Sequence, residues 1–183
     1  MAVDLVDYLK TGDNSSRLWV NFNGYAKKLL LGNDANPWST PASYLAFYTQ
    51  AHALVKAEVV VLDVWDLFHH WMDEDDTAIK SMAEKNRATF AAKVLLEAYA
   101  PRELLAEVLV AVSDNYGNAV PIVLVVPSPR ALLVKAHKSA TTNHLEPNEM
   151  SVDTVSMYMA DFLRYFSEMN LSGILLVEDK DIL

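Results

Sequence analysis

One uncharged apolar run that ends in prolines constrains the fold of this chain more than any other segment. It lies in Val120–Leu133 (VPIVLVVPSPRALL), where Pro-Ser-Pro-Arg follows the run and a helix-like stretch begins at once. A strand that is buried on both faces of a parallel sheet has such a continuous apolar run, whereas a strand with one solvated face alternates. The segment therefore predicts a buried parallel strand, residues 121–126, that leads directly into a helix.

Three further segments predict strands. Residues 18–22, 58–62 and 173–177 are short apolar runs, and the last one follows a helix-like stretch over residues 152–169. Strands that alternate with helices favour parallel pairing with right-handed crossovers. Helical spacing of the apolar residues predicts the other helices over residues 1–10, 42–56, 77–99 and 101–113.

These segments predict an α/β fold built of parallel strand–helix units. The chain has 183 residues, which suffice for one core, so residues 1–183 are expected to form a single α/β domain. Four units give either a small open sheet or half of a (β/α)8 TIM barrel, which typically needs ~250 residues. A half or incomplete barrel exposes two strand edges, which proteins cover or pair. We therefore expect a homodimer, or a partner chain that completes the sheet.

Charge and composition exclude several classes of protein. The net charge of −9 argues against nucleic acid as a partner, because phosphate binding needs clustered cations. No apolar run reaches the ~18 residues of a membrane span, and no basic-then-apolar leader opens the sequence. The absence of Cys excludes disulfides, thiolate nucleophiles and Cys-ligated zinc. The expectation is a cytoplasmic protein that binds neither nucleic acid nor membranes.

Three segments carry a family resemblance. Pro121–Leu133 is similar to a strand of the form Pro-Val-Ile-hydrophobic that is followed by a Gly-Pro or Ser-Pro turn and a helix. Tyr158–Asp179 is similar to a helix of the type Tyr-x-x-Asp-Tyr-Leu that leads to a strand with an acidic end, and Ala57–Asp63 to an early strand that ends in Phe-Ser-Asp. In this order they resemble the N-terminal half of the barrel in the uroporphyrinogen decarboxylase and cobalamin-independent methionine synthase superfamily. The resemblance implies a decarboxylase-type C–C lyase or a methyltransferase.

The chain departs from that family in two ways. Its decarboxylases open with Met-Arg-Gln-Ala-Gly-Arg, which binds substrate carboxylates, and the corresponding place here, Val20–Tyr25, has neither Arg. Its methyltransferases bind zinc through His and Cys on later strands, whereas this sequence has no Cys and stops where a fifth unit is expected. Both an enzyme and a non-catalytic or degenerate relative, acting through self-assembly or a partner chain, therefore remain open.

Polar residues follow the predicted strands. The carboxyl ends of parallel strands meet at one rim, where α/β proteins keep their working groups. We expect a small carboxylate-bearing or cyclic ligand to bind at this rim. The acidic pair Asp63 and Asp66 is predicted to be catalytic, and the predicted substrate-binding residues are Asn21, Asn23, Ser128, Arg130, Glu178 and Asp179.

Two of these residues have explicit roles. Arg130 lies in the first turn of a predicted helix, where its guanidinium and the helix dipole favour a carboxylate or phosphate. The alternative is a surface Arg that pairs with a neighbouring acid. Asp63 is expected to donate a proton or to orient a protonated ring nitrogen, and the alternative is a helix N-cap.

Metal binding is not expected. His69 and His70 precede the acidic run 73–76, but adjacent histidines on a helix point about 100° apart, and the usual zinc spacings are missing. His70 and Glu74 leave a two-ligand face as an alternative to a solvated acidic turn. No cofactor is predicted, and His144 in a polar loop is a candidate for a lid. Six aromatic residues are expected to be core rather than a ligand cavity: Trp19, Trp38, Tyr44, Tyr48, Trp65 and Trp71.

Overall fold

The computed structural model describes residues 2–10, 18–32, 36–75 and 77–179. These residues form nine α-helices, three β-strands and two short 3-10 helices, Pro37–Ser39 and Gly117–Ala119. The α-helices are α1 (Leu5–Lys10), α2 (Asn23–Leu30), α3 (Pro41–Val55), α4 (Val64–Glu74), α5 (Ala78–Met82), α6 (Phe90–Glu97), α7 (Tyr99–Tyr116), α8 (Pro129–Ala140) and α9 (Glu149–Arg164). The strands are β1 (Val60–Asp63), β2 (Ile122–Pro127) and β3 (Gly173–Val177).

The strands form one open parallel sheet in the order β1-β2-β3. Val60 pairs with Ile122, and the register continues to Asp63, which pairs with Val125. Ser172 N donates to Ile122 O at 2.8 Å, which joins β3 to β2 in the same direction. The α/β class and the parallel, incomplete sheet are therefore confirmed, and the three described strands do not close a barrel.

The chain separates into two compact units, each assembled from three stretches of sequence. The first unit contains Met1–Asp63, Leu104–Val125 and Glu168–Leu175. The second unit contains Val64–Glu103, Val126–Ser167 and Leu176–Leu183.

The core of the first unit lies against one face of the sheet. Val61 and Val123 are paired neighbours on this face, and the half-buried side chains of Leu5 and Trp19 pack against them. Gly173 lies beside them, because a Cβ at this position would lie 3.2 Å from Leu5 Cδ2. On another side of this unit α3 packs against α2 and the 3-10 helix Pro37–Ser39.

The core of the second unit is helical. α8 packs against α5, α6 and α9, and α6 also contacts α5 and α9. Phe162 of α9 is fully buried and lies beside Phe68 of α4, with ring centroids 5.6 Å apart. The apolar faces of these helices thus bury one another.

Side-chain caps define three helix starts. Thr40 Oγ1 accepts from Ser43 N before Pro41, which is the cap that the sequence predicts for α3. Ser128 caps α8, because its Oγ accepts from Ala131 N. α9 was expected to begin at a Ser151 cap, but Asn148 is the cap, and Ser151 is the reciprocal partner in a capping box.

Two predicted elements are wrong. Residues 18–22, all described, lie outside the sheet, although Glu58 N donates to Leu18 O. The chain then enters α2, a helix that was not predicted from the sequence. The helix expected over residues 77–99 is interrupted between α5 and α6. Residues 83–87 of this gap are all exposed, so no apolar side chain there anchors a continuous helix.

The remaining helices and strands agree with prediction to within a few residues. The expected helix 101–113 is longer at both ends, as α7, and β3 has the predicted bounds. The helix expected over 1–10 begins at Leu5, since residues 2–4 are described and are not helical. Met1 and the last residue of the acidic run 73–76 lie outside the described residues. Within the described ranges, no helix has the length and apolar character needed to cross a bilayer.

Candidate functional site

A cleft of about 650 Å³ lies along α8 in the second unit. Arg130, Val134 and Lys138 line it from one face of this helix, because every fourth residue of an α-helix lies on the same side. The opposite wall is the loop after the helix, residues 141–147. We call this the α8 cleft.

The cleft is cationic at two positions and apolar between them. Arg130 and Lys138 contribute the permanent charges, and among the described lining residues Glu146 alone carries a carboxylate. That carboxylate faces His144, with Nε2 and Oε1 3.8 Å apart, and both side chains are strongly exposed. The described lining therefore contains two permanent cations and one carboxylate, in a chain of net charge −9.

The loop wall is attached to the end of α8 by Thr141. Its backbone N–H donates to His137 O at 2.9 Å, and its Oγ1 lies 3.2 Å from His137 Nε2. Asn143 N in turn donates to Thr141 Oγ1 at 3.3 Å. Thr141, Thr142 and Asn143 all line the cleft.

The carboxyl ends of β2 and β3 meet at Ser128. Its backbone N–H donates to Val177 O at 2.8 Å, and its hydroxyl donates to Glu178 Oε2 at 2.8 Å. The same hydroxyl oxygen accepts from Ala131 N at 3.1 Å, which starts α8. Ser128 and Glu178, predicted to bind substrate, are thus in contact with each other.

Asp179 also has a partner within the second unit. Its carboxylate lies 3.6 Å from Lys135 Nζ, and this ammonium stands 5.3 Å from the centre of the Trp65 ring. Lys135 is a neighbour of the cleft-lining residues along α8, but its charge is directed to Asp179 and Trp65. The ion pair connects the end of β3 to α8.

The polar residues at the end of β1 form a separate cluster in the first unit. Asn21 Nδ2 donates to Asp63 Oδ2 at 3.2 Å, and Asn21 Oδ1 accepts from Asn23 N at 3.2 Å. Asn23 is buried, and its Nδ2 donates to Val61 O at 3.1 Å. Its buried Oδ1 has no hydrogen-bond partner among the described residues, so it could accept from a ligand or a water.

The remaining predicted residues lie on α4. Asp66 is in the first turn of this helix, where a carboxylate is favoured by the helix dipole. His69 Nδ1 lies 3.1 Å from Asp73 Oδ2 in an exposed pair. No group of three or more His, Asp or Glu within the described ranges is arranged to hold a metal ion.

Three of the predicted aromatic core residues are buried, which confirms that interpretation for them. The Trp38 and Tyr44 rings have centroids 4.1 Å apart, and Tyr44 stacks on Tyr48 at 6.3 Å. The Tyr48 hydroxyl accepts from Val61 N, and burial raises the pKa of this phenol. Trp19, Trp65 and Trp71 are half-buried.

The sequence-predicted residues thus form two groups, Asn21, Asn23 and Asp63 in one unit and Ser128, Glu178 and Asp179 in the other. The convergence of all eight on one rim stays a prediction. Of the eight, Arg130 lines the α8 cleft. The sequence reasoning missed Lys138 and the loop 141–147 as its partners. The spacing of Arg130, Val134 and Lys138, followed by a polar loop, is the signal that identifies them.

No protein-family model, no curated protein and no solved structure matches this chain.

Proposed function

We propose that this chain binds a small molecule with a carboxylate or comparable anionic group in the α8 cleft. The observation that carries the proposal is the lining, which places Arg130 and Lys138 around a volume of about 650 Å³. Clefts that bind small molecules have roughly this size, about 300–1,000 Å³. An arginine in such a place binds a carboxylate through two parallel hydrogen bonds.

Cyclohexanecarboxylate is a suitable first probe, with its neutral amide as the control ligand. We expect the acid to shift the backbone amide resonances of residues 141–147 in a ¹⁵N NMR titration. Arg130→Ala should weaken this binding about tenfold or more, because a charge-assisted hydrogen bond is lost.

The matched control is Arg87→Ala, since Arg87 is an exposed arginine of the same unit outside the cleft lining. Its affinity should equal that of the parent protein. Equal binding of acid and amide, or an unchanged affinity in Arg130→Ala, would contradict the proposal.

The family resemblance extends the proposal to decarboxylation or methyl transfer in a half or incomplete TIM-like barrel. Asp63 and Asp66 are then the acidic residues, and the hydrogen bond from Asn21 would orient the Asp63 carboxylate. For the decarboxylase branch we expect release of ¹³CO₂ from carboxyl-labelled pyrrole-3-acetate, and its loss in Asp63→Asn. A parent protein that releases no CO₂ would contradict this branch and leave ligand binding unaffected.

A second candidate function, self-assembly, is favoured by the exposure of β3. Its apolar residues Ile174, Leu175, Leu176 and Val177 are each 40–50% exposed, whereas the apolar residues of β1 and β2 are buried. Strands of parallel sheets are normally covered on both faces, and an uncharged edge strand is open to pairing. We propose that the occupant of this edge is β3 of a second copy.

A second copy fits this edge because identical strands can pair antiparallel about a twofold axis. No charged residue lies within β3, so the paired strands would bring no like charges together. Completing the burial of each half-exposed side chain contributes about 1 kcal/mol. The two copies together contribute eight such side chains, four from each β3. Their summed burial only just offsets the free-energy cost of association, which is about 4–15 kcal/mol. The expected assembly is therefore a weak, reversible homodimer.

A further inference from the structure

One wall of the α8 cleft is a short segment that joins two packed helices. Residues 142–147, which we call the strap, all line the cleft. The strap connects Thr141, the C-cap of α8, to Asn148, the N-cap of α9. Because α8 and α9 pack against each other, the two ends of the strap belong to one helical core. Movement of this wall is therefore restricted to the strap itself.

Both ends of the strap are anchored by hydrogen bonds to buried residues. At the first end, Thr141 Oγ1 lies 3.2 Å from Nε2 of His137, which is buried on α8. At the second end, Asn148 Oδ1 accepts from Ser151 N at 2.9 Å, and Asn148 N donates to Ser151 Oγ at 3.1 Å. Ser151 is buried as well. The anchors are therefore fixed parts of α8 and α9.

The strap between the anchors is weakly held. Among the described residues, no hydrogen bond engages the backbone N–H of residue 142 or of residues 144–146. The contact between His144 Nε2 and Glu146 Oε1 joins two strongly exposed side chains, so water screens it. Segments with exposed backbone groups and few contacts open at a low cost in free energy. The strap has these properties, and its anchors do not.

The middle of the strap contributes an apolar side chain to the cleft. Leu145 is half-buried and lines the cleft, whereas its neighbours His144 and Glu146 are exposed. The buried side chain of Val134 lines the same cleft from α8. A segment that is fixed at both ends moves farthest at its middle. A ligand between α8 and the strap therefore gains contact with Leu145 when the strap moves toward the helix.

We infer that the strap is a lid that closes over the ligand of the α8 cleft, with Leu145 as the side chain that covers the apolar part of the ligand. The strap is mobile in the free protein and becomes ordered when the ligand binds. Thr141 and Asn148 stay in place, so closure does not move the helices. A closed lid slows the release of the ligand more than its entry. This inference rests on the proposed function, since it concerns access to the same site.

The order of the strap in solution tests the lid directly. Backbone ¹⁵N relaxation should give residues 144–146 order parameters below about 0.6 in the free protein and of about 0.85 with saturating cyclohexanecarboxylate. Val134 on α8 should have an order parameter of about 0.85 in both states. The same high value for residues 144–146 in the free protein would show a rigid wall and overturn the lid.

A substitution in the middle of the strap tests the cover. Leu145→Ala should speed the release of cyclohexanecarboxylate about tenfold, because most of the apolar side chain is lost, and NMR line shapes give this rate. Leu163→Ala is the matched control, since Leu163 is a half-buried leucine of α9 outside the cleft lining. It should release the acid as fast as the parent does. Equal release rates in Leu145→Ala and the parent would contradict the role of Leu145.

A pair of substitutions tests the first anchor. Thr141→Val removes the hydroxyl that contacts His137 and should weaken the binding of cyclohexanecarboxylate about fivefold. Thr141→Ser restores the hydroxyl and should bind the acid more tightly than Thr141→Val does. Equal affinities in the two variants would contradict this anchor.

The outcomes separate the lid from the proposed function. Binding of cyclohexanecarboxylate without a gain of order in the strap would overturn the lid and leave the proposed function intact. If cyclohexanecarboxylate does not bind, the proposed function fails, and closure over a ligand fails with it.

Discussion

At the scale of single residues, Ser128 combines a local contact with Ala131 and two contacts with residues distant in sequence, Val177 and Glu178. It accepts from the first turn of α8, donates its backbone N–H to the end of β3, and donates its hydroxyl to Glu178. The hydroxyl is therefore both an N-cap and a link between strand ends. This stabilising role is sufficient to explain the residue without a ligand.

We predict that Ser128→Ala lowers the free energy of unfolding by about 1–2 kcal/mol, the usual loss for an N-cap. Glu178→Ala should cost less, because a single partly buried hydrogen bond contributes about 0.5–1.5 kcal/mol. Urea denaturation of the two variants and the double variant gives their coupling energy. A Ser81→Ala control, exposed on α5, should stay within about 0.5 kcal/mol of the parent. A coupling energy near zero would show that the Ser128–Glu178 contact does not contribute to stability.

Single residues also show why sequence reasoning found only part of the candidate site. Arg130 was predicted because it follows the carboxyl end of a strand. In open parallel sheets, ligands bind beyond the carboxyl ends of the strands. Lys138 lies two helical turns farther on, and its relevance depends on how the loop 141–147 folds back beside α8. The start of this loop is attached to α8 by the contact of Thr141 with His137, four residues apart. The helical spacing of Arg130 and Lys138 could have been recognised in the sequence, whereas the position of the rest of the loop could not.

At the scale of elements, the agreement between sequence and structure follows the strength of the local signal. β2 and α8 were predicted because a continuous apolar run ends at Pro-Ser-Pro-Arg and a helix-like stretch follows at once; the structure adds that Ser128 caps this helix. Residues 18–22 are also largely apolar, although Asn21 is among them, but they stay outside the sheet. Leu18 does contact the chain near β1, through Glu58, without becoming part of a strand. Composition cannot distinguish these two cases.

The helix predicted over residues 77–99 shows that a local helical pattern does not guarantee a continuous helix. Helix propensity alone allows a continuous helix there, but residues 83–87 between α5 and α6 are all exposed and bury no apolar face. Met82 and Leu95 are buried on either side of the gap. Because most helical stability in proteins comes from a packed face, α5 and α6 can each be stable while the chain between them is not helical.

At the scale of the whole molecule, the open sheet and the charge act in opposite directions on self-assembly. The exposed β3 edge favours pairing, whereas a net charge of −9 makes two copies repel each other. Salt screens such repulsion over distances beyond about 10 Å at 0.1 M. We therefore expect the average solution mass, measured by sedimentation, to rise with protein concentration and with moderate salt.

The variant that tests this assembly is Leu175→Lys, which places a charge on the paired edge. It should remain monomeric at concentrations where the parent dimerises. Val110→Lys is the control, since Val110 is similarly exposed but lies on α7, away from the edge. A parent protein whose mass is that of a monomer at every concentration would contradict the dimer, as would equal dimerisation of both variants.

The interleaving of the two units has a consequence for synthesis. β1 leaves the ribosome about sixty residues before β2, its partner in the sheet, and the first unit also needs residues as late as Leu175. The apolar strand β1 therefore stays unpaired in the nascent chain until β2 has been synthesised. Pairing across such a sequence separation is slow, because a long loop has to close before the strands can meet. Neither unit can be released intact by cleavage at one peptide bond, since each is assembled from three stretches. A chain shortened from its carboxyl end to before Glu168 thus loses parts of both units at once.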